Sequence, residues 1–189
     1  MGTPNQLRSF FDRIAAGDAG AYKQLFLLWH QPLVLFAASI THSRESAEEV
    51  VSDVFLILWK KRQALTQVQN PKLYLYVITR NLSINAVAKQ KRQPFSVIDK
   101  TMVLFASLQY HPDELLMTKE MHQQLLQAIH QLPPRCQTVF KLVKEDGLSY
   151  KEVAGLMHLS VKTVENQITI ALRKIGSAIR LTTKKNEKK

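Results

Sequence analysis

Cysteine is nearly missing from this chain. Cys136 is the only one in 189 residues, so no internal disulfide can form, and with six scattered histidines it gives no zinc-ligand spacing. No metal or other cofactor is expected, and a reducing, cytoplasmic setting is the default. A targeting signal is missing as well: "MGTPNQLRSF" has no basic-then-apolar pattern, and Gln6 stands where a myristoylation motif has Ser or Thr. The longest greasy stretch, "LFLLWHQPLVLFAASI", is broken by His30, Gln31 and Pro32. It falls short of the ~20 clean apolar residues of a membrane span and reads as two buried helix segments meeting at the proline. Strand-like alternation is nearly absent, which excludes a sheet-based domain.

The most informative absence is one of acid. From Val54 to Ile98 there is no Asp or Glu, while Lys60, Lys61, Arg62, Lys72, Arg80, Lys89, Lys91 and Arg92 all fall in that stretch. A second basic block, residues 135–189, holds twelve Lys or Arg against five acids, whereas residues 1–53 and 99–134 are mildly acidic. Two basic blocks within a net charge of +11 suit two surfaces that meet a polyanion. A basic block also suits a membrane surface, so charge alone favours nucleic acid without deciding for it.

Apolar spacing is helical almost throughout, and the expected fold class is all-α, with two small helical domains joined by a flexible linker. A helix opens after Asp18 with Tyr22, Leu25, Phe26 and Trp29 on one face. Another starts behind Ser43 and buries Ala47, Val50, Val51, Val54, Phe55 and Leu58, leaving Glu45, Glu49 and Asp53 in line on the other side. The loop "QALTQVQN" leads to Pro71, which suits the first turn of a helix running to about Arg92. "QPFSVIDKTMVLFASLQYH" lacks clear periodicity and is the candidate linker. A second helical block opens at Asp113 and runs through Leu125 and Ile129 to "LPP", where two prolines stop it. Cys136, Val139, Phe140 and Val143 then repeat at helical spacing, which reads Cys136 as a small core residue rather than a nucleophile. Gly147 is a suitable terminator. The tail "TTKKNEKK" reads as a frayed, solvated end.

Two stretches carry chemistry. In "SYKEVAGLMHLSVKTVENQITIALRKI", Ser149 and Glu152 make a capping box, Ser160 caps the next helix after the turn "HLS", and the whole reads as a helix-turn-helix. Val161, Val164, Ile168, Ala171, Leu172, Ile175 and Ile179 form the buried stripe, leaving Lys162, Thr163, Asn166, Gln167, Ile170, Arg173 and Lys174 outward. The amides of Asn166 and Gln167 can bond bidentately to adenine, Ile170 can touch a thymine methyl, and flanking cations suit phosphates. The alternative is a merely wetted helix surface. In "PKLYLYVITRNLSINAVAKQKR", Leu75, Ile78, Leu82 and Ala86 share one stripe, with Tyr74, Asn81, Asn85 and Arg92 clustered beside it. A ring, two amides and a cation in line suit an unpaired strand, which stacks on aromatics and bonds to amides. The alternative has Tyr74 in the core and the amides in solvent.

The pieces together resemble a known family. "AGDAGAYKQLFLLW", "SRESAEEVVSDVFLILWKKR", "NPKLYLYVITRNLSINAVAKQKR" and "LPPRCQTVFKLVKEDGLSYKEVAGLMHLSVKTVENQITIALRKI" follow the order and spacing of the extracytoplasmic-function (ECF) sigma factors of bacterial RNA polymerase, over about residues 10 to 180. The wording "NPKLYLY" and "VKTVENQI" is most similar to the Bacteroidetes-type members. The resemblance implies a sigma region 2 at residues 1–92, a linker at 93–112, a sigma region 4 at 113–181 and a basic tail at 182–189. It implies that core RNA polymerase, through its β and β′ subunits, and promoter DNA are the partners, with no small-molecule substrate. An anti-sigma factor, often membrane-anchored in this group, is implied as a further partner. Glu49 and Asp53 would face the β′ coiled coil. Asn70, Lys72, Tyr74, Arg80, Asn81, Asn85 and Arg92 would serve the minus-ten element, with the Gln67 to Asn70 loop and Asn81 near a flipped base. Lys162, Thr163, Asn166, Gln167, Ile170, Arg173 and Lys174 would serve the minus-thirty-five element. Tyr74 and Val77 stand where many relatives have Trp and Arg, and Glu165 where several have a basic residue, so a different upstream sequence is expected.

Two other functions compete. A free-standing helix-turn-helix regulator is possible from the last helices alone, since response-regulator DNA-binding domains share "LS..EVA..L..S..TV"; residues 1–110 lack the strand and helix alternation of a receiver domain. An enzyme using Glu45, Glu49 and Asp53 as a metal site fits poorly, because carboxylates in line on one helix are not how metals are usually held and no nucleophile and base pair accompanies them. No catalytic residue is therefore expected.

Overall fold

Asp18 and Ser43 set the frame of the N-terminal unit. The Asp18 carboxylate accepts from the Ala21 N–H at 2.9 Å and the Ser43 hydroxyl from the Ser46 N–H at 3.2 Å, each satisfying a donor that a helix start leaves open. The computed structural model describes residues 4–90 and 119–186, with side chains described for 5–90 and 123–177. The chain divides into two units, Met1–Leu104 and Phe105–Lys189, and no strand occurs among the described residues.

The first unit contains α1 (Pro4–Ala15), α2 (Ala19–Thr41), α3 (Arg44–Lys60), a 3-10 segment (Arg62–Gln67) and α4 (Pro71–Gln90). Helix α2 packs against α1, α3 and α4. From Leu33 to Ala38 it is buried on every side. The sequence expectation of two segments meeting at Pro32 is corrected here, since one helix of 23 residues runs through the proline. Interior proline costs about 3 kcal/mol, but burying Leu33, Val34, Leu35 and Phe36 returns roughly 1.5–3 kcal/mol each, so packing overrides the break. By length and composition alone α2 could also cross a membrane, yet half of its apolar window is buried inside the bundle. Trp29 and Phe36 both meet the Tyr76 ring edge-on, at 6.1 and 4.9 Å between centroids.

The expected α3 stripe is buried in full. On α2, Leu25 and Trp29 are buried, whereas Phe26 is exposed, against the expectation, and lies between the rings of His30 and Phe55. Helix α1 carries Leu7, Phe10, Phe11 and Ile14 on its buried face; that i, i+3, i+4, i+7 spacing is a signal the sequence reading passed over. The expected loop at residues 63–70 is mostly ordered as the 3-10 segment, because Leu65 is drawn into the core.

The second unit contains α5 (Lys119–His130), α6 (Pro134–Phe140), a π turn (Lys141–Glu145), α7 (Tyr150–Met157) and α8 (Val161–Asn186). The Gln137 amide donates to the Ile129 and His130 carbonyls at 2.8 and 2.7 Å, closing the end of α5. The π turn shifts the helical register by one residue, so Leu142 enters the core and Val143, expected there, stays half-buried. Lys141 and Asp146 are buried together with Nζ to Oδ2 at 3.0 Å. Gly147, at φ +69, ends the turn in the left-handed region that only glycine enters freely. Helix α8 continues to Asn186, so the first part of the tail is helical rather than frayed. Asp113, most of the 93–112 linker's neighbours up to residue 118, and the linker itself lie outside the described residues.

Candidate nucleic-acid interface

The site in the first unit is built from the start of α4 outward. The Asn70 side-chain oxygen accepts from the Leu73 N–H at 3.1 Å and its carbonyl from the Tyr74 N–H at 3.0 Å. Asn70, expected to meet DNA, is therefore also the cap that starts α4. The buried face of α4 is formed by Pro71, Leu75, Tyr76, Thr79 and Ser83. This corrects the expected stripe: Ile78, Leu82 and Ala86 are only half-buried. Thr79 and Ser83 donate to the carbonyls of Leu75 and Thr79, both at 2.8 Å, and a hydroxyl satisfied within its own helix can face a core. Counting only apolar residues therefore misjudged the rotation of the helix.

Tyr74, Asn81 and Asn85 share one stripe of α4, but what lies against that stripe changes along its length. Tyr74 turns inward, edge-on to Phe11 at 6.1 Å, and burial raises its phenol pKa above the ordinary value. Lys72 is half-buried with Nζ 6.0 Å from the Trp29 ring centre, and Arg80 is half-buried. Asn81 and Asn85 stand exposed together. Val77 and Ile84, which the sequence reading did not select, flank them at 37% and 40% exposure. Apolar residues lying off the buried stripe were the signal that could have found them. Arg92 lies outside the described residues. Ahead of α4, Gln67 and Gln69 are exposed, and Arg62 crosses the Trp59 ring at 5.0 Å while donating to the Trp59 carbonyl at 3.1 Å.

On α3 the carboxylates of Glu45, Glu49 and Asp53 are exposed along one side. Leu56, one turn beyond Ser52 and Asp53 on that side, is 54% exposed, giving the acidic face an apolar end that the sequence reading missed. Among the described residues no three His, Cys, Asp or Glu groups converge as a metal site would require.

In the second unit both caps of the helix-turn-helix form. Ser149 Oγ accepts from the Glu152 N–H at 3.2 Å while the Glu152 carboxylate accepts from the Ser149 N–H at 2.8 Å, and Ser160 Oγ accepts from the Thr163 N–H at 3.0 Å. His158 makes the turn in the left-handed region at φ 51. Val164, Ile168, Ala171 and Ile175 are buried, but Val161 and Leu172, expected with them, are 42% and 48% exposed because they sit at the edges of the stripe; the Ile179 side chain lies outside the described residues. Asn166, Arg173 and Lys174 are exposed, with Gln167 and Ile170 half-exposed beside them. Lys162 is held by Glu165 at 3.1 Å and Thr163 by the Ser160 hydroxyl at 2.8 Å. From below, the Cys136 thiol donates to the Gln167 carbonyl at 3.2 Å, and burial pushes its pKa up, which leaves Cys136 a packing residue rather than a nucleophile.

The comparisons with known proteins match both units. Residues 25–93 match Sigma-70 region 2 and residues 122–175 match Sigma-70, region 4, together well over half of the chain. The RNA polymerase sigma-H factor of Pseudomonas aeruginosa is 26% identical, covering 95% of this chain and 96% of its own. The ECF RNA polymerase sigma-E factor of Escherichia coli K12 is 25% identical, covering 89% and 91%. The chain belongs to the ECF sigma factor family. Among solved structures, the sigma factor RpoE in complex with the anti-sigma factor NepR from Bartonella quintana is 21% identical with a TM-score of 0.49, covering 84% of this chain and 96% of that one.

A sigma factor binds core RNA polymerase and directs it to promoters, with region 2 reading and melting the minus-ten element and region 4 reading the minus-thirty-five element. Members of this family are not enzymes. Chemically, exposed amides beside apolar side chains on α4 are of the kind that suits unpaired bases, and exposed polar side chains on the face of α8 are of the kind that suits the edges of paired ones.

Proposed function

We propose that this sigma factor reads the minus-ten element with the outward face of α4 and the loop before it, and the minus-thirty-five element with the first half of α8. The observation that carries the reading is the exposed pair Asn81 and Asn85 with exposed Val77 and Ile84 beside it, inside a stretch with no carboxylate from Val54 to Ile98. A base leaving the stack forfeits stacking and pairing of a few kcal/mol. Amides that bond the flipped base, with apolar side chains beside them, offset that cost and allow opening without ATP. Asn70, Lys72, Arg80 and Arg92 complete the minus-ten set, with Asn70 and Lys72 acting where the loop meets α4 and Tyr74 acting from within the fold. Lys162, Thr163, Asn166, Gln167, Ile170, Arg173 and Lys174 form the upstream set.

Glu49 and Asp53 meet cations of the β′ coiled coil, with exposed Leu56, next along α3, as the apolar part of that contact. Residues 1–92 act as region 2, 93–112 as the linker, 113–181 as region 4 and 182–189 as a basic tail. The wording "NPKLYLY" and "VKTVENQI" supports a Bacteroidetes-type member, working in the cytoplasm and restrained by an anti-sigma factor. Run-off transcription with purified protein and core polymerase on a cognate promoter tests the whole reading. Polymerase-dependent initiation is the expected result; tight binding of duplex DNA by the protein alone, with no initiation, would point instead to a free-standing regulator.

A further inference from the structure

The guanidinium of Arg8, on α1, reaches across 58 and 60 residues of sequence to the carbonyls of Thr66 and Val68. Nη2 donates to the Thr66 oxygen at 2.7 Å and Nη1 donates to the Val68 oxygen. Asp12, one turn along α1, accepts from Arg8 Nε at 3.3 Å and pairs with Nη2 at 3.0 Å, which fixes the plane of the fork. These carbonyls lie at the end of the 3-10 segment, on either side of Gln67 and just before Gln69 and Asn70. Leu7, Phe10, Phe11 and Ile14 anchor α1 in the bundle, and Phe11 touches Tyr74 at the start of α4. One helix therefore grips the loop at its entry, through Arg8, and at its exit, through Phe11.

We infer that Arg8 is a positioning residue that sets the conformation of the Gln67–Asn70 loop, and through it base selection at the minus-ten element. The inference rests on the reading of that loop as part of the minus-ten site. The chemistry fits position better than cohesion. Arg8 and Asp12 are both well exposed to solvent, and such pairs contribute little to stability. A planar fork aimed at two carbonyls instead fixes geometry, which a lysine, a point charge on a flexible stem, cannot do at both oxygens. The loop's other ties include the buried Leu65 side chain, the bond from the Val68 N–H to the Leu65 carbonyl at 3.2 Å, the Thr66 hydroxyl donating to the Gln63 carbonyl at 3.2 Å and the Asn70 cap on the Leu73 N–H at 3.1 Å. None of these takes up the Thr66 or Val68 carbonyl, which Arg8 does.

The test compares the full chain with Arg8→Gln, Arg8→Lys, Gln67→Ala and Asn81→Ala, each assembled with core polymerase on templates carrying all four bases at the flipped minus-ten position. Arg8→Gln should lower discrimination among those bases by about tenfold, the factor for one charged hydrogen bond, with assembly and closed-complex binding unchanged, and Arg8→Lys should recover part of the loss. Amide hydrogen exchange should quicken in residues 62–70 and not in α2 or α3. If Arg8→Gln keeps full base preference while Gln67→Ala loses it, the loop reads bases and Arg8 does not position it. If exchange quickens throughout the unit, Arg8 is an ordinary structural anchor and the inference is overturned. If Gln67→Ala leaves base preference intact while Asn81→Ala reduces it, the loop is not part of the reading site, and the inference falls with that reading while the role of α4 stands.

Discussion

The two proposed DNA-facing surfaces are made in opposite ways. On α4 the side chains near the proposed minus-ten site are tied into the fold: Asn70 caps the helix, Tyr74 lies against Phe11, and Lys72 sits over Trp29. On α8 the proposed reading residues hang from a helix held by local caps, and their ties, Lys162 to Glu165 and Thr163 to Ser160, span three residues. A surface that must pull a base from the duplex needs rigid support over its whole width, whereas one that reads the edges of an intact groove needs little more than a correctly set helix. The cores contrast as well. The first unit is closed by aromatic packing, while the second buries Lys141, Asp146 and Glu145 in its π turn.

The sharpest way to separate the units is through that buried pair. Asp146→Ala removes the hydrogen-bonded partner of the buried Lys141 ammonium, leaving only the Glu145 carboxylate 3.9 Å away, and should cost up to about 3–5 kcal/mol, a large part of the stability of a small domain. Both tryptophans, Trp29 and Trp59, belong to the first unit, so their fluorescence transition should stay in place while helical signal melts early. A joint shift of both transitions would mean that the units do not fold independently.

Next in size is the division of labour on DNA. Gln167→Ala should weaken upstream recognition by about 1–3 kcal/mol, seen as loss of preference between cognate and altered minus-thirty-five sequences, with opening unaffected once polymerase is bound. Asn81→Ala should do the reverse, lowering permanganate reactivity of the melted segment more than closed-complex affinity. Equal loss of both steps in both variants would erase the contrast between the two surfaces.

A smaller effect depends on pH. Glu145 is buried with one oxygen unpartnered and the other 3.9 Å from Lys141. Burial first, and Asp146 to a lesser extent, push its pKa up to about 7, against the pull of Lys141. Because the folded value exceeds the ordinary 4.5, the folded state holds its proton longer than the unfolded one, and stability falls as pH rises between those values. Glu145→Gln should therefore raise the melting point of the second unit by several degrees at pH 8 and leave it nearly unchanged at pH 4. A uniform rise at both pH values would place its cause in packing rather than in ionisation. Smallest of all, Glu165→Ala should free Lys162 from an exposed pair worth less than about 1 kcal/mol. Upstream DNA binding should tighten slightly and become steeper in its salt dependence, with no change in thermal stability.

The helix-turn-helix was legible because its signals are local. Ser149, Glu152 and Ser160 cap within three residues of themselves, and Gly147 marks a backbone turn by its own freedom. The same holds for Asp18, Ser43 and the α3 stripe. What escaped the sequence depended on neighbours distant in the chain. Pro32 reads as a break until the burial of Leu33 to Ala38 is known. Thr79 and Ser83 read as polar until their hydroxyls are seen bonded inside the helix, and without them the rotation of α4 could not be judged; that Tyr74 meets Phe11 while Asn81, two turns on along the same stripe, stays exposed depended on where α1 packs. The exposure of Leu56, Val77 and Ile84 went unread because type and spacing cannot say which side of a helix lacks a partner.

By itself, then, the sequence determined the all-α class, the helix boundaries set by caps, the two basic blocks and, through the order of its motifs, the sigma factor family. Tertiary structure decided which way α4 turns, that α2 runs unbroken, and that Arg8 of the first helix meets the loop near residue 68. The physical reason is range. Caps, turns and charge act over a few residues and are written beside one another, whereas burial is the sum of contacts from helices far apart in the chain, and it exists only once they have packed.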